Sequence, residues 1–276
     1  MADPRSYLYV PGDRPIFLAR ALERGADAVI VDLEDAVASA DKAAARETVT
    51  EWLDGLTETG TEIWLRINPG AEREDDLAVF ADRSDVTGFC AAKTESARDA
   101  EEVSCALDAA GSSALLMPLL ESAEAVFDAL AVARVPRVRR LQIGEADLAV
   151  DVGIDPRPMA EEFAWARSTI VFASAAAGIS APVAAVSTNF RDLDLLARST
   201  EATRRMGFFG RACIHPAQVA VANETFNVSV EVAGRAQAVL EMAVDLGRTT
   251  FTGPDGTMVD EAVLRAARRT VAQARV

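Results

Sequence analysis

Histidine and cysteine are nearly missing from this chain, and the shortage narrows its chemistry at once. In 276 residues there is one histidine, His215, and there are three cysteines, Cys90, Cys105 and Cys213. A zinc site built from several imidazoles is therefore excluded. The cysteines form no CxxC pair, so neither a thiolate metal site nor a disulfide scaffold is indicated, and small buried roles are expected for all three. Lysine is as scarce: only Lys42 and Lys93 occur, and arginine carries the remaining positive charge. No stretch reaches the roughly 18 uninterrupted apolar residues of a spanning helix. Pro11, Asp13 and Arg14 interrupt any apolar run behind Met1–Arg5, so a cytoplasmic protein is expected. The formal net charge of -15 sets the whole chain against the phosphates of nucleic acid and against anionic lipid. Neither is expected as a partner.

Apolar residues make up 50% of the chain, enough for one large core, and a single α/β barrel of about 250 residues has this size. Apolar runs predict strands over Tyr7–Val10, Ala28–Asp35, Glu62–Asn68, Val86–Lys93, Ala114–Glu121, Leu141–Leu148, Pro182–Ser187 and Phe208–Ile214. Helical spacing falls between them, at Ile16–Leu22, Lys42–Leu53, Ala97–Ala109, the segment containing Ala123 to Leu130, Glu161–Ala177 and Asp192–Met206. Eight strand-like runs with helical crossovers and almost no alternating polar face predict an α/β fold, a (β/α)₈ TIM barrel with a C-terminal helical extension. The barrel core is placed at 1–228. Residues 229–276, in the same domain, hold a closing helix (Val230–Leu246) and a lid or intersubunit extension ending in a last helix. The rival, an open doubly wound sheet, would need a glycine-rich first turn, and Pro11-Gly12-Asp13-Arg14-Pro15 lacks the GxGxxG spacing.

The strand ends of such a barrel face one mouth. Glu34, Asp35, Arg66, Asn68, Lys93, Glu121, Glu145, Asp147 and His215 end or follow the runs. Glu121 and Asp147 close two neighbouring runs, and two carboxylates held close repel unless a proton or cation sits between them. With so few nitrogen and sulfur ligands, the cation would be hard and oxygen-bound, Mg²⁺ or Mn²⁺. Two helix-capping acids are the alternative. Arg66 sits among apolar residues, either as a structural partner of Glu34 or Asp35 or as a neutraliser of an oxyanion. Lys93 could instead form a Schiff base, act as a salt-bridge partner or clamp a phosphate. His215 could act as a base or bond a loop carbonyl, and Asp13-Arg14 could be a plain helix start.

Several stretches match a family pattern in order. They are Arg5–Pro15; Ala26–Val37 followed by Lys42 and Ala45-Arg46; Leu65–Asn68; Lys93–Ala97; Leu120–Ala123; Gly144–Leu148; Gly207–Arg211; Ile214–Val219; and Met258-Val259-Asp260. On these residues the chain resembles the citrate lyase β-subunit-like branch of the HpcH/HpaI aldolase family, which includes malyl-CoA and citramalyl-CoA lyases. The resemblance implies a Mg²⁺-dependent enzyme (Mn²⁺ as substitute) on a TIM barrel, assembled as a homotrimer or hexamer. Its substrate would be a coenzyme A thioester. The reaction would cleave or form a carbon–carbon bond in a short β-hydroxyacyl-CoA such as malyl-, citramalyl- or β-methylmalyl-CoA. The products would be glyoxylate or pyruvate and acetyl- or propionyl-CoA. Alternatives are a citrate lyase β subunit with partner subunits, a malate synthase or malyl-CoA thioesterase, and a non-catalytic acyl-CoA binder.

By the same resemblance Glu121 and Asp147 are the metal ligands, and Arg66 bridges the oxo acid and the thioester carbonyl. Glu34 and Asp35 hold the metal's waters and orient the arginine. Asp260, from a neighbouring subunit's tail, is the acid/base. Arg14 touches coenzyme A or substrate. Three positions depart from the family pattern: Ala146 where a Glu precedes the metal Asp, Ala92 where a Pro precedes the lysine, and Ala184 where relatives have an Asp. They bear on substrate choice.

Overall fold

A computed structural model describes residues 2–57, 59–155, 159 and 161–275. The chain divides into two compact units, Pro4–Thr225 and residues 2–3 with 226–275. In the larger unit, strands and helices alternate: β1 (Ser6–Pro11), α1 (Pro15–Leu18), β2 (Ala28–Asp32), α2 (Lys42–Asp54), β3 (Glu62–Ile67), α3 (Ala71–Phe80), β4 (Gly88–Ala91) and α4 (Ala97–Ala109). Then follow β5 (Leu115–Leu120), α5 (Ala123–Ala133), β6 (Gln142–Ile143), α6 (Glu145–Val152), α7 (Ala164–Ala177), α8 (Leu193–Met206), β7 (Arg211–Cys213) and α9 (Pro216–Thr225). The seven strands form one sheet in the order β6-β5-β4-β3-β2-β1-β7, and every neighbouring pair is parallel. Parallel sheets are covered by helices on their outer face, which is why these strands read as continuous apolar runs.

The sheet is curled. Tyr7 of β1, Ile30 of β2, Trp64 of β3, Cys90 of β4, Met117 of β5 and Ala212 of β7 meet in one buried cluster, although these strands span the sheet. Only a concave face brings them together. Their chain neighbours Leu8, Val29, Val31, Leu65 and Leu116 point the other way, into the layer shared with the helices. Trp64 fits inside because Gly88 lies beside it: a Cβ there would stand 2.5 Å from Trp64 Cζ3 and 2.6 Å from the Leu115 carbonyl.

Two expectations are corrected, and one element is new. The predicted strand Pro182–Ser187 is reduced to single bridges, Val183 to Gln142 and Ala184 to Arg211, so the sheet has seven strands rather than eight. Pro182 has no N–H to give a ladder and the segment is short of bulky β-formers. The predicted strand Leu141–Leu148 is extended only at Gln142–Ile143, and from Glu145 onward it is helix. Its acids Glu145 and Asp147 therefore lie in a helix's first turn, where carboxylates complement the dipole. Helix α3 has no counterpart in the sequence reading, because Ala71–Phe80 is acid-rich and buries only Asp76, Leu77 and Phe80.

In the smaller unit, α10 (Val230–Leu246) packs against α11 (Glu261–Gln273), with a two-stranded antiparallel hairpin, β8 (Phe251–Thr252) and β9 (Met258–Val259), between them in the chain. Ser229 and Asp260 cap the two helices through the amides of Val232 and Val263. No described helix is long and apolar enough to cross a membrane.

Candidate active site

The two-residue period of the strands selects the site. Ala28 and Ile30 face the concave side, and so does Asp32; Trp64 does, and so does Arg66; Met117 and Leu119 do, and Glu121 follows them. The parallel register sets Asp32 directly beside Arg66. Arg66 Nε and Nη2 donate to Asp32 Oδ1 and Oδ2 at 2.7 and 2.5 Å, a two-point fork, and Nη1 lies 2.9 Å from Glu34 Oε2. The guanidinium carbon stands 5.2 Å from the Tyr9 ring centroid. Burial works against the Arg66 charge, but the bonds and charge of Asp32, with Tyr9 and Glu34 behind them, outweigh it and raise its pKa. Asp35 Oδ2 is 3.6 Å from Nη1, too far for a direct hydrogen bond.

The loop that carries Glu34 and Asp35 is held from beneath. Lys42, at the start of α2, donates to the carbonyls of Leu33 and Glu34 and to Asn68 Oδ1, at 2.8, 3.0 and 2.5 Å. Asn68 donates in turn to Leu33 O and to Asp76 on α3, and Arg46 braces Asp76 at 2.9 Å. Thus α2 and α3 fix the exit of β2 through buried polar groups whose bonds are all made.

Glu121 is buried, and its Oε1 accepts the Lys93 amide at 2.8 Å. Burial pushes its carboxyl up to about 7, against the opposing pull of the Lys93 amide and charge. Burial likewise raises Glu34, with Arg66 pulling the other way. Glu121 has room only because residue 144 is glycine: a Cβ there would stand 2.7 Å from Glu121 Cβ and 2.8 Å from Oε2. Gly144→Ala should therefore displace the carboxylate and lower affinity for a divalent cation more than tenfold, as titration with Mn²⁺ would show. An unchanged affinity would mean that Glu121 does not bind the ion.

Lys93 Nζ lies 3.1 Å from Glu34, 3.4 Å from Asp147 and 3.9 Å from Asp35. Burial opposes its charge, but Glu34 outweighs burial and raises its pKa. A Schiff-base nucleophile needs a free amine, so this setting argues against the covalent reading of Lys93. Arg167 pairs with Glu145 through Nε and Nη2 at 2.6 and 2.7 Å, fixing the start of α6.

Tyr9, Asp35, Arg66, Glu121, Gln142 and Asp147 line a cavity of about 330 Å³, whose apolar wall includes Leu119, Val186 and Ile214. That is space for a small organic acid and the reacting end of a longer molecule. Among the described residues, no group of three or more His, Cys, Asp or Glu side chains is arranged as a metal cage. The two carboxylates of Glu121 and Asp147 nevertheless suit Mg²⁺, which is commonly held by one or two carboxylates and keeps waters and substrate oxygens as its other ligands.

The structure thus gathers Glu34, Asp35, Arg66, Glu121 and Asp147. It does not gather Arg14, whose side chain is 65% exposed and pairs with Asp13 at 3.5 Å. Asp260 belongs to the smaller unit, where it caps α11. His215 accepts the Ala217 amide at 3.1 Å and stacks on Phe190, a helix-start role. Asp32, Lys42 and Asp76 were missed as positioning groups. For Asp32 the signal was present, since it shares parity with Ala28 and Ile30.

The model of HpcH/HpaI aldolase/citrate lyase matches residues 5–216. The chain belongs to that family. It is 34% identical over 278 residues to a (3S)-malyl-CoA thioesterase of Cereibacter sphaeroides, covering 98% of this chain and 94% of the relative. A citrate lyase subunit beta-like protein of Deinococcus radiodurans is 32% identical over 273 residues, covering 96% of this chain and 95% of the relative. Among solved structures, the CitE protein of Mycobacterium tuberculosis in complex with magnesium, acetoacetate and coenzyme A superposes with a TM-score of 0.77 at 29% identity, covering 99% of this chain and 98% of that one.

Proposed function

We propose that this protein is a Mg²⁺-dependent carbon–carbon lyase that splits, or in reverse condenses, a short β-hydroxyacyl-CoA into an α-oxo acid and a shorter acyl-CoA. The observation that carries it is Arg66, a buried guanidinium forked onto Asp32 and held by Glu34, in one small pocket with the carboxylates of Glu121 and Asp147. The mycobacterial relative, solved with magnesium, a small oxo acid and coenzyme A, supports the same ligand set here. Glu121 and Asp147 would hold the ion, which when bound supplies positive charge for the oxygens of the small acid. Arg66 commits Nε and one N–H on each terminal nitrogen to Asp32 and Glu34, leaving a further N–H on each for substrate oxygens. The β-hydroxyl gives its proton to Asp35, an exposed carboxylate lining the pocket, as its oxygen becomes the carbonyl of the oxo acid. The electrons of the breaking carbon–carbon bond pass to the thioester as an enolate, and Arg66 meets the growing oxyanion charge. Its fixed partners keep it from reorganising as that charge appears. The apolar wall of Leu119, Val186 and Ile214 excludes water from the enolate, and Asp260, from a neighbouring copy in a homotrimer, delivers the proton to carbon. Arg14 contacts the coenzyme A end.

We further read the architecture as a (β/α)₈ barrel. The parallel bridges of Val183 and Ala184, one to β6 and the other to β7, support closure of the ring. The test of function is an assay of malyl-, citramalyl-, β-methylmalyl- and citryl-CoA with and without Mg²⁺. We expect glyoxylate or pyruvate to be released only with the metal. Free coenzyme A released without an oxo acid would instead indicate a thioesterase, as the named Cereibacter relative suggests, and binding without turnover would indicate a thioester-binding protein. Asp260→Asn should slow turnover while leaving Mn²⁺ binding unchanged. Mixed oligomers of Asp260→Asn and Arg66→Ala subunits should recover activity, and no recovery would place the proton donor within one chain.

A further inference from the structure

Lys93 is placed in an unusual way for a side chain with no assigned chemistry. Its backbone is left-handed, with φ at 50°, a conformation uncommon for a residue with a Cβ. In that conformation its amide bonds Glu121 at 2.8 Å while its ammonium turns back among Glu34, Asp35 and Asp147. One residue thus contacts four carboxylates at or beside the pocket, three through its ammonium and Glu121 through its amide.

We propose that Lys93 is a built-in counter-ion of the metal-free site: its ammonium stands in for a divalent cation, holds the carboxylates together until one binds, and gives way when it does. This rests on the magnesium reading above. The argument is one of charge. Asp32, Glu34 and Asp35 contact Arg66; Glu34, Asp35 and Asp147 contact Lys93, whose amide holds Glu121. Arg66 is already committed to Asp32 and Glu34, so Lys93 is the cation that faces Asp147. Clustered carboxylates destabilise one another unless a cation lies among them. An ammonium and a divalent ion both drawn to Asp147 repel each other, so Lys93 lowers metal affinity while it stabilises the protein without metal. A merely structural lysine would move both quantities in the same direction.

Lys93→Met isolates the ammonium, because the backbone amide that bonds Glu121 is kept. Free Mn²⁺ measured by electron paramagnetic resonance gives the dissociation constant, and thermal unfolding gives stability with and without Mn²⁺. We expect Lys93→Met to bind Mn²⁺ threefold to tenfold more tightly, to unfold at a lower temperature without metal, and to gain more from added Mn²⁺ than the parent protein does. Lys93→Arg keeps the charge and should stay within about twofold of the parent affinity. Lys93→Gln serves as the second neutral variant should the methionine variant fail to fold. If the parent binds Mn²⁺ and a neutral variant binds it equally or more weakly, the counter-ion role is overturned while the metal reading stands. If the parent itself binds no Mn²⁺, the metal reading falls and the proposal falls with it.

Discussion

Arg66→Ala should lower kcat by roughly 10²–10³-fold with little change in KM, the loss seen when a donor aimed at developing oxyanion charge is removed. The reasoning lies in what the side chain meets. In the resting protein its fork is filled by Asp32 and its third contact by Glu34, and the N–H groups left over meet a thioester oxygen that carries no full charge in the ground state. The gain comes when negative charge grows on the thioester oxygen. Alanine also strands two buried carboxylates, and breaking one side of a buried ion pair costs about 3–5 kcal/mol. The control is therefore Arg66→Lys. It returns a charge to Asp32 and Glu34 but cannot present the planar fork and the substrate-facing N–H groups together. We expect Arg66→Lys to recover most of the melting temperature and little of kcat. Steady-state kinetics and calorimetry on the two variants separate the roles. Full turnover by Arg66→Lys would reduce the arginine to a structural partner of Asp32.

Glu121→Gln should weaken Mn²⁺ binding by more than the 10–100-fold that loss of a group supporting a ligand costs. The swap is nearly isosteric, and the remaining amide oxygen can still accept the Lys93 N–H, so the strand exit should hold its shape. The same residue sets a pH dependence with a defined sign. Burial lifts the folded carboxyl from its ordinary value of 4.5 to about 7. Between those two values the folded protein keeps a proton that the unfolded chain has lost. The contribution of Glu121 to stability of the metal-free protein should therefore fall as pH rises from about 4.5 to about 7, and then level off. Metal binding needs the ionised carboxylate, so apparent affinity should climb about tenfold per pH unit below that upper value and flatten above it. Glu121→Gln should remove the slope in affinity and reduce the slope in stability, the remainder coming from other buried carboxyls such as Glu34. Urea titrations across pH, with and without Mn²⁺, measure them, and an unchanged stability slope in the variant would assign the titration to another group.

The legible part of the site was the set of acids and the arginine at the ends of apolar runs. Glu34, Asp35, Arg66 and Glu121 could be named because a buried strand has little reason to end in charge unless its exit does chemistry. Asp147 was named for the right neighbourhood but the wrong element, since it sits on the first turn of α6 rather than at a strand end. A short apolar run followed by acids fits a strand exit and a helix start equally well, and periodicity over four residues does not separate them. Helix α3 escaped notice because Glu72, Glu74 and Asp75 dilute its apolar face, yet it carries Asp76, which braces the β2 exit through Asn68. The strand expected at Pro182–Ser187 looked apolar enough to pair along its length, but it makes only isolated bridges.

Local pattern by itself determined that this chain alternates strands and helices, that it lacks the ligands for a zinc or thiolate site, and that acids and one arginine gather where strands end. These follow from spacing and composition, which act over a few residues. Tertiary structure alone decided the pairings: Asp32 rather than Glu34 as the main partner of Arg66, Lys93 turned in among Glu34, Asp35 and Asp147, and Gly144 cleared for Glu121. Each joins groups far apart in the chain, and strand register, the curl of the sheet and the exclusion of one side chain by another exist only once the chain is folded. The physical reason is that a charge's partner is chosen by distance and by the water removed around it.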